Sequence, residues 1–198
     1  NLIRFGNYVS STDNRMLYGF LSYQPENLAL VVEIQPRFNY CGDFSDDLAR
    51  ILIGGNLVDG KPVGGGLFGY INTEGEIRIN PQFILAEDFS NGLAYVEKAD
   101  NLGRIRRGYI DTNGDFQFEV GLDLAYDFFE GLAVFSLLQN TSQNLTRLLR
   151  RDQSESGDKT VMYGYVNRAG TAEISAQFDK ANNFQHGLAC VLDSQSGK

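Results

Sequence analysis

Hydrophobic residues along this chain fall into short alternating runs, which turn-forming Gly, Asn and Asp residues separate from one another. One string, a glycine followed by an aromatic and an aliphatic residue, begins at Gly19, Gly69, Gly108 and Gly164. A second string, which reads Phe-x-x-Gly-Leu-Ala in three of its four copies, begins at Phe44, Phe89, Phe128 and Phe184. The strings start 20 residues apart in the last three copies and 25 apart in the first. The pattern therefore indicates four copies of one repeat of roughly forty residues.

Each repeat is predicted to form three strands. The first strand is the glycine–aromatic–aliphatic segment, and a turn such as Asn72–Gly75 follows it, where glycine supplies the positive φ of a tight hairpin. The second strand alternates, which predicts that Ile77 and Ile79 share a face, as do Phe116 and Phe118. A compact turn comes next, and we expect one turn of helix there, with a glycine ending it at Gly92, Gly131 or Gly187. The third strand starts at Leu-Ala, with Ala94 and Val96 on one face.

The fold class predicted from this pattern is all-β, with tandem three-stranded antiparallel units in one open, solenoid-like array over residues 1–198. The repeats span approximately residues 18–67, 68–106, 107–162 and 163–198. Residues 1–17 carry the trailing strand of a preceding repeat, because Leu2–Phe5 matches Leu132–Phe135. A propeller-like ring is the alternative, since such a strand also closes rings. Both ends read as if cut from a longer array.

The spacing between repeats varies mainly in the connections from a third strand to the next first strand. Gly54–Gly66 is rich in glycine, and Gln139–Thr160 is long, polar and partly basic. Variation confined to one kind of connection places these loops on one side of the array, where repeat proteins often bind. Possible partner-binding residues in the second connection are Arg147, Arg150 and Arg151, and another basic cluster comprises Arg104, Arg106 and Arg107. Either cluster could grip an acidic partner or pair with acids of this chain, but solvated loop charge is the favoured interpretation of both.

The two strings together resemble the WG-repeat family of bacterial proteins. The place of the tryptophan that names the family holds Tyr18, Phe68, Arg107 and Tyr163 in this chain. The later elements, Gly75, Gly114, Gly170 and the second string, match well, and the resemblance covers residues 19 to about 192. It implies tandem β units that bind or scaffold and share no common active site.

Charge and composition narrow the functional classes. The net charge is −8 with a pI of about 4.6, and an acidic chain repels phosphate backbones, so nucleic acid is not expected as a partner. No run approaches the roughly 18 apolar residues that span a bilayer. Cys41 and Cys190 have no zinc-site spacing. Cys41 takes a small alanine position of the repeat, which predicts a buried thiol, and Cys190 leans outward, so a disulfide between them is not expected.

Two polar features could carry chemistry. His186 is the only histidine, but its place in the repeat holds Asp46, Asn91 and Glu130 in the other copies, so we interpret it as a variable turn residue. A row of acids precedes the repeat phenylalanine at Asp43, Asp88 and Asp127, with Asn183 in the fourth copy. Stacked carboxylates could bind Ca²⁺ or flank a glycosidic bond, but turn capping is the favoured interpretation.

Two further patterns are interpreted as structural. Asp111–Asp115 superficially matches a calcium loop, yet its twelfth position is Leu122 instead of the bidentate Glu, and we reject a calcium site there. The aromatic column suits sugar stacking or a stacked core, and the core is favoured; it comprises Phe20, Tyr70, Tyr109 and Tyr165.

The predicted function is a non-enzymatic protein-interaction or structural repeat module within a larger protein or assembly. Its partner would be another protein or a second copy, and the sequence indicates no catalytic, cofactor-binding or metal-binding residue. The alternative is a cell-envelope or surface module that binds carbohydrate or a divalent metal, and a hydrolase with paired carboxylates is a third hypothesis. An envelope or secreted location is favoured over a cytoplasmic one.

Overall fold

The computed structural model describes residues 2–8, 16–59, 61–119, 124–140 and 159–194. Within these ranges the chain forms antiparallel strands, turns and bends, without a helix or a closed barrel. The predicted all-β class is therefore confirmed. Contacts divide the chain into two compact units, residues 1–119 and 120–198. The single array, its ring-like alternative and the repeat boundaries stay predictions.

The described residues of the N-terminal unit form thirteen strands in three main sheets and one short ribbon. The strands are β1 (Leu2–Tyr8), β2 (Met16–Gln24), β3 (Ala29–Phe38), β4 (Tyr40–Cys41), β5 (Ala49–Ile53), β6 (Asn56–Val58), β7 (Lys61–Val63), β8 (Leu67–Ile71), β9 (Ile77–Phe83), β10 (Leu85–Ala86), β11 (Ala94–Ala99), β12 (Ile105–Ile110) and β13 (Phe116–Glu119). The first sheet has the order β1-β2-β3, the second β4-β5-β8-β9 and the third β10-β11-β12-β13, while β6 and β7 form the ribbon.

Each sheet combines strands of two successive repeats. The third strand of one repeat pairs with the first strand of the next, as in β5 with β8 and β11 with β12. β1 pairs with β2 in the same way, over the register from Leu2 with Ser22 to Tyr8 with Met16. β1 therefore takes the place in the first sheet that a third strand takes in the later sheets.

Neighbouring sheets of the N-terminal unit share clusters of buried side chains. Between the first and second sheets the cluster comprises Phe20, Ile34, Phe38, Cys41, Ala49, Ile51 and Ile71. Between the second and third sheets the same seven repeat positions recur, as Tyr70, Ile79, Phe83, Ala86, Ala94, Val96 and Ile110. The second sheet is buried on both faces, because the adjacent residues Ile51 and Leu52 are both 0% exposed. The recurrence explains the frame that is visible in the sequence, since identical packing requires similar side chains at equal spacing.

Where the structure describes the C-terminal unit, six strands repeat the arrangement. They are β14 (Leu124–Phe129), β15 (Leu132–Asn140), β16 (Lys159–Asn167), β17 (Ala172–Phe178), β18 (Lys180–Ala181) and β19 (Val191–Leu192). The fourth sheet has the order β14-β15-β16-β17, and β18 pairs with β19 alone. Its described core includes Phe128, Ala133, Phe135 and Tyr165, each at most 4% exposed.

A bulge in the second strand corrects one sequence prediction. Ile77 pairs with Ile71, and Ile79 pairs with Tyr70, so Arg78 is an extra residue between the two pairs. The two isoleucines therefore lie on opposite faces, with Ile79 3% and Ile77 47% exposed. The prediction that they share a face is wrong, because a bulge breaks the period of two. The same shift separates Phe116 and Phe118.

The glycine of the first string is required by the close approach of two strands. A Cβ at Gly69 would lie 2.6 Å from the Ile79 carbonyl oxygen, and one at Gly164 would lie 2.5 Å from that of Ile174. Neither position has the left-handed φ that glycine favours elsewhere. Any side chain there would push the second strand away from the first.

The turn within the second string is a two-residue hairpin, and the helical turn expected there is wrong. Ser90 and Leu93 exchange both backbone hydrogen bonds, at 2.9 and 3.2 Å, and the residues between them, Asn91 and Gly92, have φ of 55° and 79°. Positive φ at both central residues defines a type I′ turn, whose twist matches that of the flanking strands. The glycine therefore serves the turn and caps no helix.

The turn after the first strand agrees with prediction. Asn72 accepts a hydrogen bond from Gly75, whose φ is 83°, and the Asn72 side chain accepts the Glu76 N–H at 2.8 Å.

Among the described residues, no helix could cross a membrane.

Candidate functional site

The aromatic column lies inside the protein. Phe20, Tyr70, Tyr109 and Tyr165 are each at most 1% exposed. The Tyr70 hydroxyl donates to the Glu87 carbonyl at 2.6 Å, and the Tyr165 hydroxyl donates to the Asn182 carbonyl at 2.8 Å. Each ring also meets the phenylalanine of its own repeat edge-on, with centroids 4.7 Å apart at Phe89 and 4.8 Å apart at Phe184. The core interpretation is confirmed, and these rings are not available to stack on a sugar.

The third residue of the second string, which differs among the copies, links the turns of successive repeats. Asp46 accepts the N–H of Gly92 in the next repeat at 2.6 Å. Glu130 accepts two such donors, from His186 at 2.7 Å and from Gly187 at 2.8 Å. His186 has a φ of 55° and is exposed, so it is the turn residue that the sequence predicted. A carboxylate of one repeat thereby caps the hairpin of the following repeat, a charge-assisted bond between repeats.

A second link between repeats comes from arginine in the third strand. Arg4 donates to the Cys41 carbonyl, and Arg50, at the equivalent position, donates to the Ala86 carbonyl, both at 2.6 Å. Both guanidinium groups also lie over the Tyr40 ring, at 5.6 and 5.7 Å from its centroid. Tyr40 therefore attracts both guanidinium groups through cation–π interactions, because the face of its ring is electron-rich.

Asp88 of the acidic row pairs with this arginine. Its Oδ1 lies 3.0 Å from Arg50 Nε, while Glu87 Oε2 lies 2.9 Å from Arg50 Nη1. A Cβ at Gly42 would stand 2.6 Å from Asp88 Oδ1, so this glycine makes room for the pair. Burial raises the pKa of the Asp88 carboxyl, and Asp43 adds to the rise, while Arg50 opposes it. Asp88 is thus held by Arg50, whereas the turn N–H groups are accepted by Asp46 and Glu130, three residues further along the repeat.

The loop resembling a calcium site is an ordinary turn. The Asp111 carboxylate accepts the N–H groups of Asn113 and Asp115 at 2.9 and 3.1 Å, and its other oxygen accepts the Gln117 amide at 3.0 Å. Gly114 completes the turn with a φ of 91°. Its ligand oxygens are thus engaged in local hydrogen bonds, which agrees with the rejection of a calcium site.

The first basic cluster is neutralised by acids of this chain. Arg104 pairs with Asp100 at 2.7 Å, Arg107 pairs with Glu97 at 3.0 Å, and Arg106 pairs with Glu119. The hydrogen bonds from Arg104 lower the pKa of the Asp100 carboxyl. Internal pairing is therefore observed for this cluster, instead of the unpaired solvated charge that the sequence favoured.

The second basic cluster lies outside the described residues. Arg147, Arg150 and Arg151 therefore stay predicted partner-binding residues. β15 and β16 extend into the two ends of the Gln139–Thr160 connection, where Gln139 pairs with Thr160 and Asn140 with Lys159.

A groove of about 430 Å³ lies beside the glycine-rich connection. It is lined by Lys61, Pro62, Gly65, Gly66, Leu67, Ile84, Leu85 and Glu97. Its walls are mainly apolar, and Glu97 is already held by Arg107 and by the Tyr95 hydroxyl at 3.1 Å. We name this site the ribbon groove, because the β6–β7 ribbon forms one wall.

Sequence reasoning singled out the connection but missed the opposite wall of the ribbon groove. Ile84 and Leu85 follow Phe83, where the other copies have Asn39-Tyr40, Asp123-Leu124 and Asp179-Lys180. An isoleucine at a position that holds Asn or Asp in the other copies was the available signal.

The two cysteines differ in exposure, and neither belongs to a metal-binding group of described residues. Cys41 is buried, which raises the pKa of its thiol to about 12, and Cys190 is exposed; both are free thiols, as predicted. Across the part of the chain that the structure describes, no three His, Cys, Asp or Glu residues are grouped to hold a metal ion.

Comparison with known proteins gives one match. The family model described as WG containing repeat matches residues 26–56, 68–101, 108–137 and 163–193. No curated protein and no solved structure matches the chain.

Proposed function

Because the chain belongs to the WG containing repeat family, we propose that it is a non-enzymatic protein-interaction or structural repeat module of a larger protein or assembly. The observation that supports this proposal most is the use of the repeat's own polar groups as links between its parts. Turn carboxylates bind the next turn, arginines bind carbonyls of the next repeat, and tyrosine hydroxyls bind backbone oxygens.

Catalysis needs groups that can reach a substrate and change their protonation state during the reaction. The acid with a raised pKa, Asp88, is engaged by Arg50 at 3.0 Å. The buried tyrosines point their hydroxyls at carbonyl oxygens, and the single histidine is an exposed turn residue. These arrangements favour a scaffold over a hydrolase.

The proposed contact surface in residues 1–119 is the ribbon groove beside the glycine-rich connection. The groove is within the size range of ligand-binding clefts, and its apolar walls with one lysine suit a protein segment that carries both apolar and acidic side chains. Lys61 is exposed and supplies the charge.

The test is co-purification from the native source with mass-spectrometric identification, using wild-type protein and Lys61→Glu. The control is Lys180→Glu, another exposed lysine at the end of a short strand. We expect one stoichiometric protein partner that is lost with Lys61→Glu and retained with the control, with circular dichroism of all three unchanged.

The alternatives are tested in parallel on the same protein. Saturable calorimetric binding of Ca²⁺ or of a glycan, abolished by Asp88→Asn, would support the surface-module hypothesis instead. Turnover of a glycoside that Asp88→Asn abolishes would refute the non-enzymatic assignment.

A further inference from the structure

The arginine that links repeats in the N-terminal unit is replaced in the C-terminal unit. In the frame of the repeat, Val134 holds the position of Arg4 and Arg50. It is 2% exposed, and a valine side chain has no hydrogen-bond donor. The Ala86 carbonyl, which accepts from Arg50 at 2.6 Å, corresponds to the carbonyl of Ala181. The C-terminal unit therefore keeps the acceptor of this link and lacks its donor.

A cavity of about 160 Å³ lies where the arginine is missing. The described residues that line it are Val134, Ala181, Asn182 and Asn183. They correspond, in the same order, to Arg50 and to the three residues that its guanidinium group contacts, Ala86, Glu87 and Asp88. The volume is roughly ten times the minimum of about 10–15 Å³ that one water molecule requires, so a planar guanidinium group fits. We name this cavity the valine pocket.

The backbone around the valine pocket matches the backbone around Arg50. The Tyr165 hydroxyl donates to the Asn182 carbonyl at 2.8 Å. Tyr70 donates in the same way to the Glu87 carbonyl at 2.6 Å. Asn182 and Glu87 also each donate their N–H to a carbonyl of the adjacent third strand, both at 3.0 Å. The pocket thus results from a change of side chains within the same backbone arrangement.

The position of the valine pocket stays open when the neighbouring sheet has all its strands. The third sheet has four strands, and the side chains of Glu87 and Asp88 beside Arg50 are still 45% and 40% exposed. The equivalent residues in the C-terminal unit, Asn182 and Asn183, line the pocket. A side chain from another molecule therefore has access to it without displacing a strand.

We propose that the valine pocket binds the guanidinium group of an arginine side chain that a partner protein supplies. This inference rests on the proposed interaction function and names the group that is recognised at a second contact. The fold itself shows the fit twice, because Arg4 and Arg50 each place a guanidinium nitrogen 2.6 Å from the carbonyl equivalent to that of Ala181. A guanidinium group suits such a site because it presents several N–H donors in one plane.

The polar groups around the valine pocket supply acceptors for these donors. The Ala181 carbonyl takes the place of the carbonyl that Arg50 binds, and the side-chain amides of Asn182 and Asn183 each offer an oxygen. Ser136, the next residue on the same face of β15, is 0% exposed, and its hydroxyl has no hydrogen-bond partner among the described residues. The net charge of −8 also favours the approach of a cation.

Two differences from the arginine site of the N-terminal unit predict weak binding. The two asparagines of the pocket are uncharged, whereas the carboxylates of Glu87 and Asp88 pair with Arg50 at 2.9 and 3.0 Å. Lys180 also stands where Tyr40 contributes its ring to the cation–π contacts. We therefore expect a dissociation constant in the millimolar range for a single arginine, with the remaining affinity supplied by the rest of the partner.

Titration of the full chain with N-acetyl-arginine amide, followed by the NMR signals of the Asn182 side-chain amide, tests the proposal. Wild-type protein should show saturable shifts. Val134→Arg should abolish them, because its own guanidinium group fills the pocket. Asn183→Asp should lower the dissociation constant by about threefold or more, since a charge-assisted hydrogen bond is stronger than a neutral one. The matched control, Asn56→Asp, changes an exposed asparagine of β6 and should leave the dissociation constant unchanged.

Three outcomes overturn the proposal. A wild-type protein without saturable shifts has a pocket that holds only water. Equal binding of N-acetyl-citrulline amide, in which an uncharged urea replaces the guanidinium group, shows that the cation is not recognised. An equal gain from Asn183→Asp and Asn56→Asp indicates general attraction to an acidic chain.

Two controls keep the result interpretable. Circular dichroism checks that each variant is folded, and Asn183→Asp carries the test alone if Val134→Arg does not fold. Lys61→Glu should leave the binding of N-acetyl-arginine amide unchanged. Loss of a partner through the ribbon groove and loss of arginine binding in the valine pocket are therefore measured separately.

Discussion

Leu48 and Leu188 occupy the same position of the repeat in opposite environments, which makes them a matched pair for measuring the packing between sheets. Both follow a two-residue turn and donate a backbone hydrogen bond across it, Leu48 to Ser45 at 3.0 Å and Leu188 to Gln185 at 3.1 Å. Leu48 is 6% exposed, within the cluster between the second and third sheets, whereas Leu188 is 77% exposed. Substitution by alanine changes the same chemical group in both.

The two alanine substitutions are expected to lower the free energy of unfolding by amounts that differ severalfold. Truncating a buried leucine to alanine removes its transfer free energy and leaves a cavity, which together cost about 2–5 kcal/mol. We expect about 3 kcal/mol for Leu48→Ala, because its side chain lies among large residues such as Phe68 and Tyr70. Leu188→Ala should cost about 0.5 kcal/mol or less, as is usual for exposed sites.

The assay is urea unfolding followed by far-ultraviolet circular dichroism and tyrosine fluorescence, since the chain has no tryptophan. At a urea dependence of about 1–3 kcal/mol/M, Leu48→Ala should lower the unfolding midpoint by about 1 M or more. Because the two residues belong to different compact units, amide hydrogen exchange assigns each loss of protection to residues 1–119 or 120–198. Equal shifts for both variants would refute the argument that contacts between sheets stabilise the repeats.

Three further predictions follow from single features. Cys190 should react at once with a thiol reagent at pH 8 and Cys41 only after unfolding, because the pKa of the Cys41 thiol is raised to about 12 and lies far above the assay pH; two equally fast thiols in native protein would contradict this. Gly69→Ala should destabilise by several kcal/mol, since its Cβ would lie 2.6 Å from the Ile79 carbonyl oxygen, and a thermal scan that shows an unchanged midpoint would be inconsistent with that contact. A variant that reverses the charge of the second basic cluster should lose its protein partner in a pull-down; it carries Arg147→Glu, Arg150→Glu and Arg151→Glu. If the partner is still bound, the second basic cluster is not a contact.

Much of the fold could be predicted from the sequence, because the same packing recurs at equal spacing along the chain. The seven buried positions between sheets recur in the sequence frame, and so do the turn glycines. The bulge at Arg78 was not predictable, because an extra residue in one strand leaves the alternation of Ile77 and Ile79 unchanged in sequence while it reverses one side chain in space. The hairpin turn was mistaken for a helix end because glycine serves left-handed positions in both.

The candidate sites were harder to predict for a related reason. Partners such as Arg50 and Asp88 are 38 residues apart and meet only because successive repeats stack. The ribbon groove needs Lys61 from one connection and Leu85 from the following short strand. Neither pairing has a signal within a short window, whereas the turn contacts of Asp111 span only a few residues and were interpreted correctly.

Repetition in this chain records packing, and binding should therefore be sought where the copies differ. Among the described residues, most positions that recur in the repeats are buried between sheets, shape a turn or link one repeat to the next, so a ligand would have to compete with the fold for them. Departures from the repeat include Ile84, where the other copies have Asn39, Asp123 and Asp179, and the glycine-rich connection Gly54–Gly66. These two departures meet in the ribbon groove. Their convergence on one exposed surface is the reason to seek a protein contact there.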